Sequence, residues 1–128
     1  MDARPGPHPA APPKAVARAL ERLAITPEEP VTLAELAAVA GLSRFHFLRV
    51  FKRATGQTPH AWLMCERVIR ARALLAQGLP PAAVAAATGF ADQAHLTRVF
   101  RRITGVTPGR YGGRTPPFKV RAEPAPIS

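Results

Sequence analysis

The apolar residues of this chain follow the spacing of α-helices from about residue 14 onward. Val16, Leu20 and Leu23 lie at positions i, i+4 and i+7, which predicts a first helix near residues 14–24. Prolines and glycines divide the remaining pattern into further helices, predicted at about 33–40, 44–54, 59–77, 81–88 and 93–103. Aromatic residues are few, at 6% of the chain. The pattern therefore predicts an all-α fold of about seven helices.

Local signals mark where several of these helices begin. Thr32 and Glu35 have the spacing of a capping box, with Thr32 as the N-cap. Ser43 and Asp92 are predicted to cap the third and sixth helices. The fifth helix lacks a polar cap because Pro80 occupies that position. Among the second, third, fifth and sixth helices, we therefore expect the fifth to have the weakest start.

Two stretches of the chain are nearly the same. Residues 47–59 read FLRVFKRATGQTP, and residues 96–108 read LTRVFRRITGVTP. The similarity extends upstream, where Leu36-Ala37-(x)3-Gly41-Leu42 matches Val84-Ala85-(x)3-Gly89-Phe90. Each copy consists of a helix, a glycine turn and a second helix, as in a helix-turn-helix whose second helix enters the DNA major groove. Two copies are too few for a helical solenoid.

The repeat and the composition together predict the domain organisation. The first 13 residues hold five prolines, and the last 14 hold four more without helical periodicity. Between them lie the two copies and the longest helix. We expect a disordered N-terminal segment, a first helix-turn-helix subdomain, a linker helix, a second helix-turn-helix subdomain and a flexible tail, at residues 1–13, 14–56, 57–78, 79–114 and 115–128.

Charge is concentrated in the middle of the chain. The net charge is +10, and residues 44–114 contain twelve Lys and Arg but only two acidic residues, Glu66 and Asp92. Such a basic block favours a polyanionic partner. No apolar run reaches the roughly 18 residues of a membrane span, and the N-terminus lacks the apolar stretch of a signal peptide. The single cysteine, Cys65, excludes an intramolecular disulfide and fits a reducing cytoplasm.

The second copy carries a longer motif, Gly89-Phe90-x-Asp92-(x)5-Arg98-x-Phe100-Arg101-(x)3-Gly105-x-Thr107-Pro108-(x)2-Tyr111. With this motif, residues 14–114 resemble the DNA-binding domain of the AraC/XylS family of bacterial transcription regulators. Arg67-Val68-(x)2-Ala71-(x)2-Leu74-Leu75 resembles the family's linker helix. The chain departs from the pattern at Pro80-Pro81, at Ala94 in place of a common serine, and after Tyr111, where an arginine is delayed to Arg114.

Helical geometry selects the residues that would face DNA. Two sets of apolar residues are predicted to be buried, namely Phe47, Val50, Phe51 and Ala54 in the third helix and Leu96, Val99, Phe100 and Ile103 in the sixth. The remaining faces and the N-termini supply candidate base contacts at Arg44, Phe45, Leu48, Arg49, Gln93, Ala94, Thr97 and Arg98. Candidate phosphate contacts are Ser43, Lys52, Arg53, Asp92, Arg101 and Arg102, with backbone N–H groups contributing at the two helix starts.

Other chemistry is not supported by the pattern. His46 and His95 stand in different copies, and the lone Cys65 lies outside both, so we expect no metal site and no cofactor. Cys65 falls on the apolar side of the linker helix and is expected to pack in the core. Trp62 and Tyr111 occupy matched positions and are expected to be core plugs. There is no clustered acid–base set, so we do not expect an enzyme.

The expected partner is double-stranded DNA at a promoter, bound in the cytoplasm at the nucleoid. A linker helix of about 19 residues would be roughly 28 Å long at 1.5 Å per residue. One chain could then place two reading helices about one DNA turn apart, as a monomer on an asymmetric site. The resemblance implies regulation, more often activation, through RNA polymerase. The alternative is a domain of a larger effector-responsive regulator. The two competing interpretations are a protein-interaction module and an RNA-binding protein. Salt-dependent binding to duplex DNA would distinguish a DNA-binding regulator from both.

Overall fold

Seven α-helices follow one another in residues 13–112, which are the residues that the computed structural model describes, and no β-strand occurs among them. The helices are α1 (Lys14–Ile25), α2 (Leu33–Ala40), α3 (Arg44–Thr55), α4 (Pro59–Ala76), α5 (Pro81–Thr88), α6 (Gln93–Thr104) and α7 (Pro108–Gly112). The predicted all-α class is confirmed. The predicted disordered segment and flexible tail fall outside the described range, apart from Pro13, the N-cap of α1.

The starts of α2 and α5 follow from their local sequences. In α2, Thr32 Oγ1 accepts a hydrogen bond from the Glu35 N–H at 3.0 Å, and Glu35 Oε1 accepts one from the Thr32 N–H at 2.9 Å. This confirms the capping box, which satisfies two backbone donors at the helix start. By contrast, α5 begins at Pro81 behind Pro80 and has no side-chain cap. Proline suits this first position because it has no N–H to satisfy and its φ is already helical.

The chain divides into two compact units, which we call unit 1 and unit 2. Among the described residues, unit 1 consists of 13–26 and Pro30–Leu63, and unit 2 consists of Pro27–Glu29 and 64–112. Helix α4 contributes its first five residues to unit 1 and the rest to unit 2. Each unit therefore contains one helix-turn-helix: α2 and α3 in unit 1, and α5 and α6 in unit 2.

In unit 1, α1, α2 and α3 pack against one another around the buried side of α3. Phe47 and Phe51 are fully buried, and their ring centroids lie 5.5 Å apart. Fully burying a side chain of this kind stabilises a fold by about 1.5–3 kcal/mol. The other core side chains come from α1, α2 and the start of α4: Val16, Ala19, Leu23, Leu36, Ala37, Ala40 and Leu63.

Unit 2 repeats this arrangement, with α6 packed against α5 and α7. Phe100 and Leu96 of α6 are fully buried. The remaining apolar core residues come from α4, α5, α6 and the turn before α6: Met64, Val68, Ala71, Leu75, Val84, Ala85, Phe90 and Val99. Both small residues that precede the glycine turns, Ala37 and Ala85, are buried, so the helices at each turn can approach closely.

Several residues predicted to be buried are more exposed than expected. Ala54 is exposed, Ile103 is 41% exposed, and Cys65 is only half-buried. Ala54 and Ile103 are each the last residue but one of a helix, whereas burial in those helices ends at Phe51 and Phe100. The apolar face of each helix thus extends one turn beyond the core. The prediction that Ala54 and Ile103 are core residues is wrong for this reason.

Candidate nucleic-acid interface

Helix α3 presents an exposed basic face to the outside of unit 1. Its sequence RFHFLRVFKRAT contains no acidic residue. Phe45 is 76% exposed, although a phenylalanine of this helix would normally be buried. The polar members of the predicted contact set on this helix are also exposed: Arg44, Arg49, Lys52 and Arg53. The face therefore combines several cations with one unburied aromatic ring.

Leu48 is the exception on this face. It is half-buried and lines an apolar groove of unit 1 with residues of α1, α2, α4 and the connections between them: Leu23, Val31, Leu33, Leu36, Thr58, Pro59, His60 and Leu63. Val50, predicted to be core, is likewise half-buried. Part of the Leu48 side chain thus faces the groove, and the rest is exposed on the outside of α3.

Helix α6 presents the corresponding face of unit 2. Its sequence QAHLTRVFRRIT is also free of acidic residues. Thr97, at the position matching Leu48, is half-buried. The other predicted contact residues on this helix are all exposed: Gln93, Ala94, Arg98, Arg101 and Arg102. Two helices in matched positions thus offer cationic surfaces that differ in their apolar and amide groups.

The predicted caps at the starts of these two helices are confirmed. Ser43 Oγ accepts a hydrogen bond from the His46 N–H at 3.2 Å, and Asp92 Oδ1 accepts one from the His95 N–H at 2.8 Å. A carboxylate repels a phosphate, and the Asp92 carboxylate already has this partner. Any phosphate contact at the start of α6 must therefore come from backbone N–H groups in the first turn rather than from Asp92.

Helices α3 and α6 end in the same hydrogen-bonded turn. Thr55 Oγ1 donates to the Phe51 carbonyl at 2.9 Å, and Thr104 Oγ1 donates to the Phe100 carbonyl at 2.8 Å. Glycines with positive φ follow both threonines, at 82° for Gly56 and at 88° in the second copy. This left-handed conformation is readily adopted by glycine. The repeated Thr-Gly segment therefore serves as the stop signal of each helix.

An aromatic residue of the following helix packs on each of α3 and α6. The ring of Trp62 lies edge-on to Phe51 at a centroid distance of 6.2 Å, and the ring of Tyr111 lies edge-on to Phe100 at 5.6 Å. Trp62 and Tyr111 are both half-buried. Edge-to-face pairs add about 0.5–1.5 kcal/mol beyond area burial. The two rings thus act as packing groups, as predicted, although neither is fully enclosed.

Sequence reasoning missed the burial of Arg67. This residue is 7% exposed and is the one buried charged side chain within residues 13–112. Its Nε donates a hydrogen bond to the Pro27 carbonyl at 2.7 Å. A signal was available, because Leu63, Met64 and Ala71 lie at i−4, i−3 and i+4, on the same side of α4. An arginine in the middle of an apolar helix face was thus a candidate buried charge.

Two other features are absent from the part of the chain that the structure describes. No helix within residues 13–112 has the combination of length and hydropathy that a membrane span requires. No three His, Cys, Asp or Glu side chains there are grouped so that they could hold a metal ion.

Two helix-turn-helix units, each with an exposed, acid-free basic helix, define a class of DNA-binding proteins. Comparison with known proteins agrees with this class. A family model described as "Helix-turn-helix domain" matches residues 36–114. The chain is also 46% identical over 65 residues to the regulatory protein ada of Salmonella typhimurium. That match covers 51% of this chain and 18% of the relative, so the chain spans about a fifth of the relative's length.

Two solved structures extend the comparison to most of the chain. A probable AraC family transcriptional regulator from Rhodopseudomonas palustris is 28% identical, with a TM-score of 0.71, and the match covers 80% of this chain and 97% of that one. The DNA-binding domain of AdpA, a global transcriptional factor solved in complex with a target DNA, is 34% identical, with a TM-score of 0.71 and coverage of 85% and 96%. This chain belongs to the AraC-type helix-turn-helix family of DNA-binding transcription regulators.

Proposed function

We propose that this protein binds an asymmetric promoter site in duplex DNA, with α3 and α6 in adjacent segments of the major groove. The observation that carries the proposal is the matched pair of exposed basic helix faces, which keep the same scaffold but differ in the side chains that would read bases. Sequence is read at base edges, whereas cations along the backbone supply affinity without sequence information. The two helices therefore read different half-sites.

The chemistry of each predicted base-contact residue suggests its role. Arg49 and Arg98 can each donate two hydrogen bonds to guanine O6 and N7, and Gln93 can pair with adenine N6 and N7. Phe45 and Ala94 can contact thymine methyl groups. Arg44, at the start of α3, also belongs to the base-reading set. The two half-buried members, Leu48 and Thr97, would contribute smaller apolar or hydroxyl contacts.

The remaining exposed cations serve as phosphate contacts. Lys52, Arg53, Arg101 and Arg102 lie toward the ends of α3 and α6 and are all exposed. Backbone N–H groups after Ser43 and Asp92 would add neutral donors, which favour anions at a helix N-terminus. Four cationic contacts make binding steeply dependent on salt, because each releases counterions from the DNA.

Binding as a monomer follows from the presence of two reading helices in one chain. Helix-turn-helix proteins with one reading helix usually dimerise to contact two half-sites about one turn, or roughly 34 Å, apart. The differing side chains at positions 45 and 94, and at 48 and 97, predict unlike half-sites. The mass of the protein–DNA complex and a footprint test this proposal. A symmetric palindrome bound only by dimers would overturn it.

The proposed outcome of binding is activation of transcription through contact with RNA polymerase at the nucleoid. Family membership supports a role in regulating transcription, and we propose that the regulation is activation. Transcription in vitro from a promoter that carries the selected site, with and without the protein, measures whether the amount of transcript rises. A drop in transcript on adding the protein would reverse the assignment from activator to repressor.

The alternative is that these residues form the DNA-binding part of a larger effector-responsive regulator. This alternative is supported by the small share of the ada relative that the match covers. An antibody against the helix-turn-helix units would report the size of the protein made in its native cell. A band near 13.7 kDa, the mass of the present chain, would argue against the larger regulator.

The experiment that tests the DNA-binding proposal most directly is selection of bound sites from random duplexes. Arg98→Ala should then relax preference at one base pair, at a cost of about 1–3 kcal/mol for the original base. Lys52→Ala should weaken binding to all selected sequences alike. A uniform loss of affinity in both variants would show that the division into base readers and phosphate contacts is wrong.

A further inference from the structure

A short segment between α1 and α2 belongs to unit 2 rather than to unit 1. Residues Pro27–Glu29 lie in the connection between two helices of unit 1, yet they cluster with residues 64–112. Pro27 is fully buried, and its carbonyl accepts the hydrogen bond from Arg67 Nε at 2.7 Å. We call these three residues the 27–29 segment. Pro27, the first residue of this segment, is thus part of the packed interior of unit 2.

Arg67 is charged, so its burial beside Pro27 requires other groups that stabilise the charge. Burial lowers the pKa of the Arg67 guanidinium from its ordinary value, and the nearby Glu28 carboxylate acts in the opposite direction. The guanidinium stays charged at neutral pH. It lies 5.9 Å from the centroid of the Phe90 ring, at a distance suited to a cation–π contact. A buried charge needs such partners, so the Arg67 side chain has a defined geometry between Pro27 and Phe90.

The glycine turn between α5 and α6 lies against the same segment. Gly89 has a φ of +90°, and a Cβ atom at this position would come within 2.5 Å of the Glu28 carbonyl oxygen. Gly41, the matched glycine of unit 1, has a φ of +75°, but a Cβ atom there would meet nothing within 4 Å. Both glycines serve a left-handed turn. Only Gly89 is also required for a close backbone contact.

The residues that follow Gly89 determine how α6 begins. Phe90 is buried and contacts both the Arg67 guanidinium and the ring of His95, the latter at 5.3 Å between centroids. His95 in turn donates its backbone N–H to the Asp92 cap. The first turn of α6, which carries Gln93 and Ala94, is therefore connected to the 27–29 segment through Gly89, Phe90 and Arg67.

We propose that the 27–29 segment and Arg67 form a brace that holds the α5–α6 turn, and that Arg67 is a positioning residue for the reading face of α6. The proposal rests on the proposed function, in which α6 reads bases. The 27–29 segment, which lies between α1 and α2 in the sequence, would thus control base reading by α6 of unit 2.

Two pairs of variants test this assignment. Arg67→Met removes the buried charge and its donor, and Arg18→Met removes an equal charge from an exposed position of α1. Gly89→Ala brings a Cβ atom against Glu28, and Gly41→Ala imposes similar left-handed strain where there is open space. Binding is measured against duplexes that carry every single base-pair change in the site. Arg49→Ala and Arg98→Ala identify which base pairs α3 and α6 read.

In a specific site a correct base pair is favoured over a wrong one by roughly five- to 150-fold. We expect Arg67→Met and Gly89→Ala to reduce this preference by about fivefold or more at the base pairs read by α6, and by less than about twofold at those read by α3. Gly41→Ala imposes the turn strain without the backbone contact. Its loss of preference at the base pairs read by α3 should therefore be clearly smaller than the loss of Gly89→Ala at those read by α6, and equal losses would overturn the brace. Arg18→Met should change neither preference.

The proposal is overturned if Arg67→Met behaves like Arg18→Met, or if Gly89→Ala affects both half-sites equally. If Arg67→Met does not fold, the glycine pair decides. If Arg49→Ala and Arg98→Ala identify no separate base pairs, the proposed function has failed, and thermal unfolding tests the brace independently. A midpoint for Gly89→Ala clearly below that of Gly41→Ala then supports the brace, and equal midpoints refute it.

Discussion

The exposed ring of Phe45 allows a sharp test of base reading by α3. Phe45 is 76% exposed, whereas Phe47 and Phe51 of the same helix are 0% exposed. Phe45→Ala should therefore change the free energy of unfolding by no more than about 0.5 kcal/mol, as is usual for a surface site. Phe47→Ala, by contrast, should cost about 3–5 kcal/mol because it empties part of the core. A loss of DNA binding in Phe45→Ala is then not a loss of fold.

The size of the effect on binding follows from the contact that we propose. Packing one thymine methyl group against the ring is worth about 0.8 kcal/mol, or roughly fourfold in affinity. Replacing that thymine by uracil removes the methyl group and leaves the hydrogen-bonding groups unchanged. Wild-type protein should therefore lose about fourfold in affinity at the base pair that faces Phe45, and Phe45→Ala should lose almost nothing there.

Fluorescence anisotropy at one fixed salt concentration measures these affinities, with uracil placed at each thymine of the selected site in turn. The thymine facing Ala94 provides an internal control, because its methyl effect should persist in Phe45→Ala. An equal uracil penalty at every position in both proteins would refute the proposed contact. The same cycle with 5-methylcytosine in place of cytosine would report whether the ring reads the methyl group on another pyrimidine.

Three further outcomes are expected. The slope of log affinity against log salt should be about −3.6 for four cationic phosphate contacts and should become shallower by about 0.9 in Lys52→Ala, and an unchanged slope would remove Lys52 from this set. Thr32→Ala should lower the free energy of unfolding in urea by about 1 kcal/mol, since the Glu35 N–H loses its cap. Asp92→Asn keeps an acceptor for the His95 N–H and removes a negative charge near phosphate, so stability should stay within about 0.5 kcal/mol and DNA affinity should not fall. Weaker DNA binding by Asp92→Asn would mean that the carboxylate itself has a binding role.

Much of the local structure was predictable because it depends on neighbours in the sequence. The capping box at Thr32, the caps at Ser43 and Asp92, and the left-handed turn at Gly41 all involve contacts within four residues. The candidate reading faces were predictable for a related reason. A helix has a fixed angle between successive residues, so once Phe47 and Phe51 are taken as core, the opposite side must face outward.

Helical periodicity predicted burial wrongly where burial depends on how far the neighbouring helices of the same chain extend. Helical phase places Ala54 and Ile103 on the apolar side, but the core ends one turn earlier, at Phe51 and Phe100. Phase also places Leu48 on the outside, whereas it lines a groove with side chains from α1, α2 and α4. How far a neighbouring element reaches along a helix is not encoded in that helix.

Local sequence patterns placed six of the seven described helices to within one residue at each end, and they revealed the duplication and the basic, acid-free character of α3 and α6. These features arise from backbone hydrogen bonding, side-chain periodicity and composition, which act over short distances along the chain. Only the tertiary structure assigned Pro27 to unit 2 and buried the charge of Arg67 against it, across 40 residues of sequence. It also distinguished Gly89 from Gly41, two glycines in equivalent turns, because just one has a distant backbone segment against its Cα atom. Contacts of this kind depend on which surfaces meet when the helices pack, and no local pattern specifies that meeting.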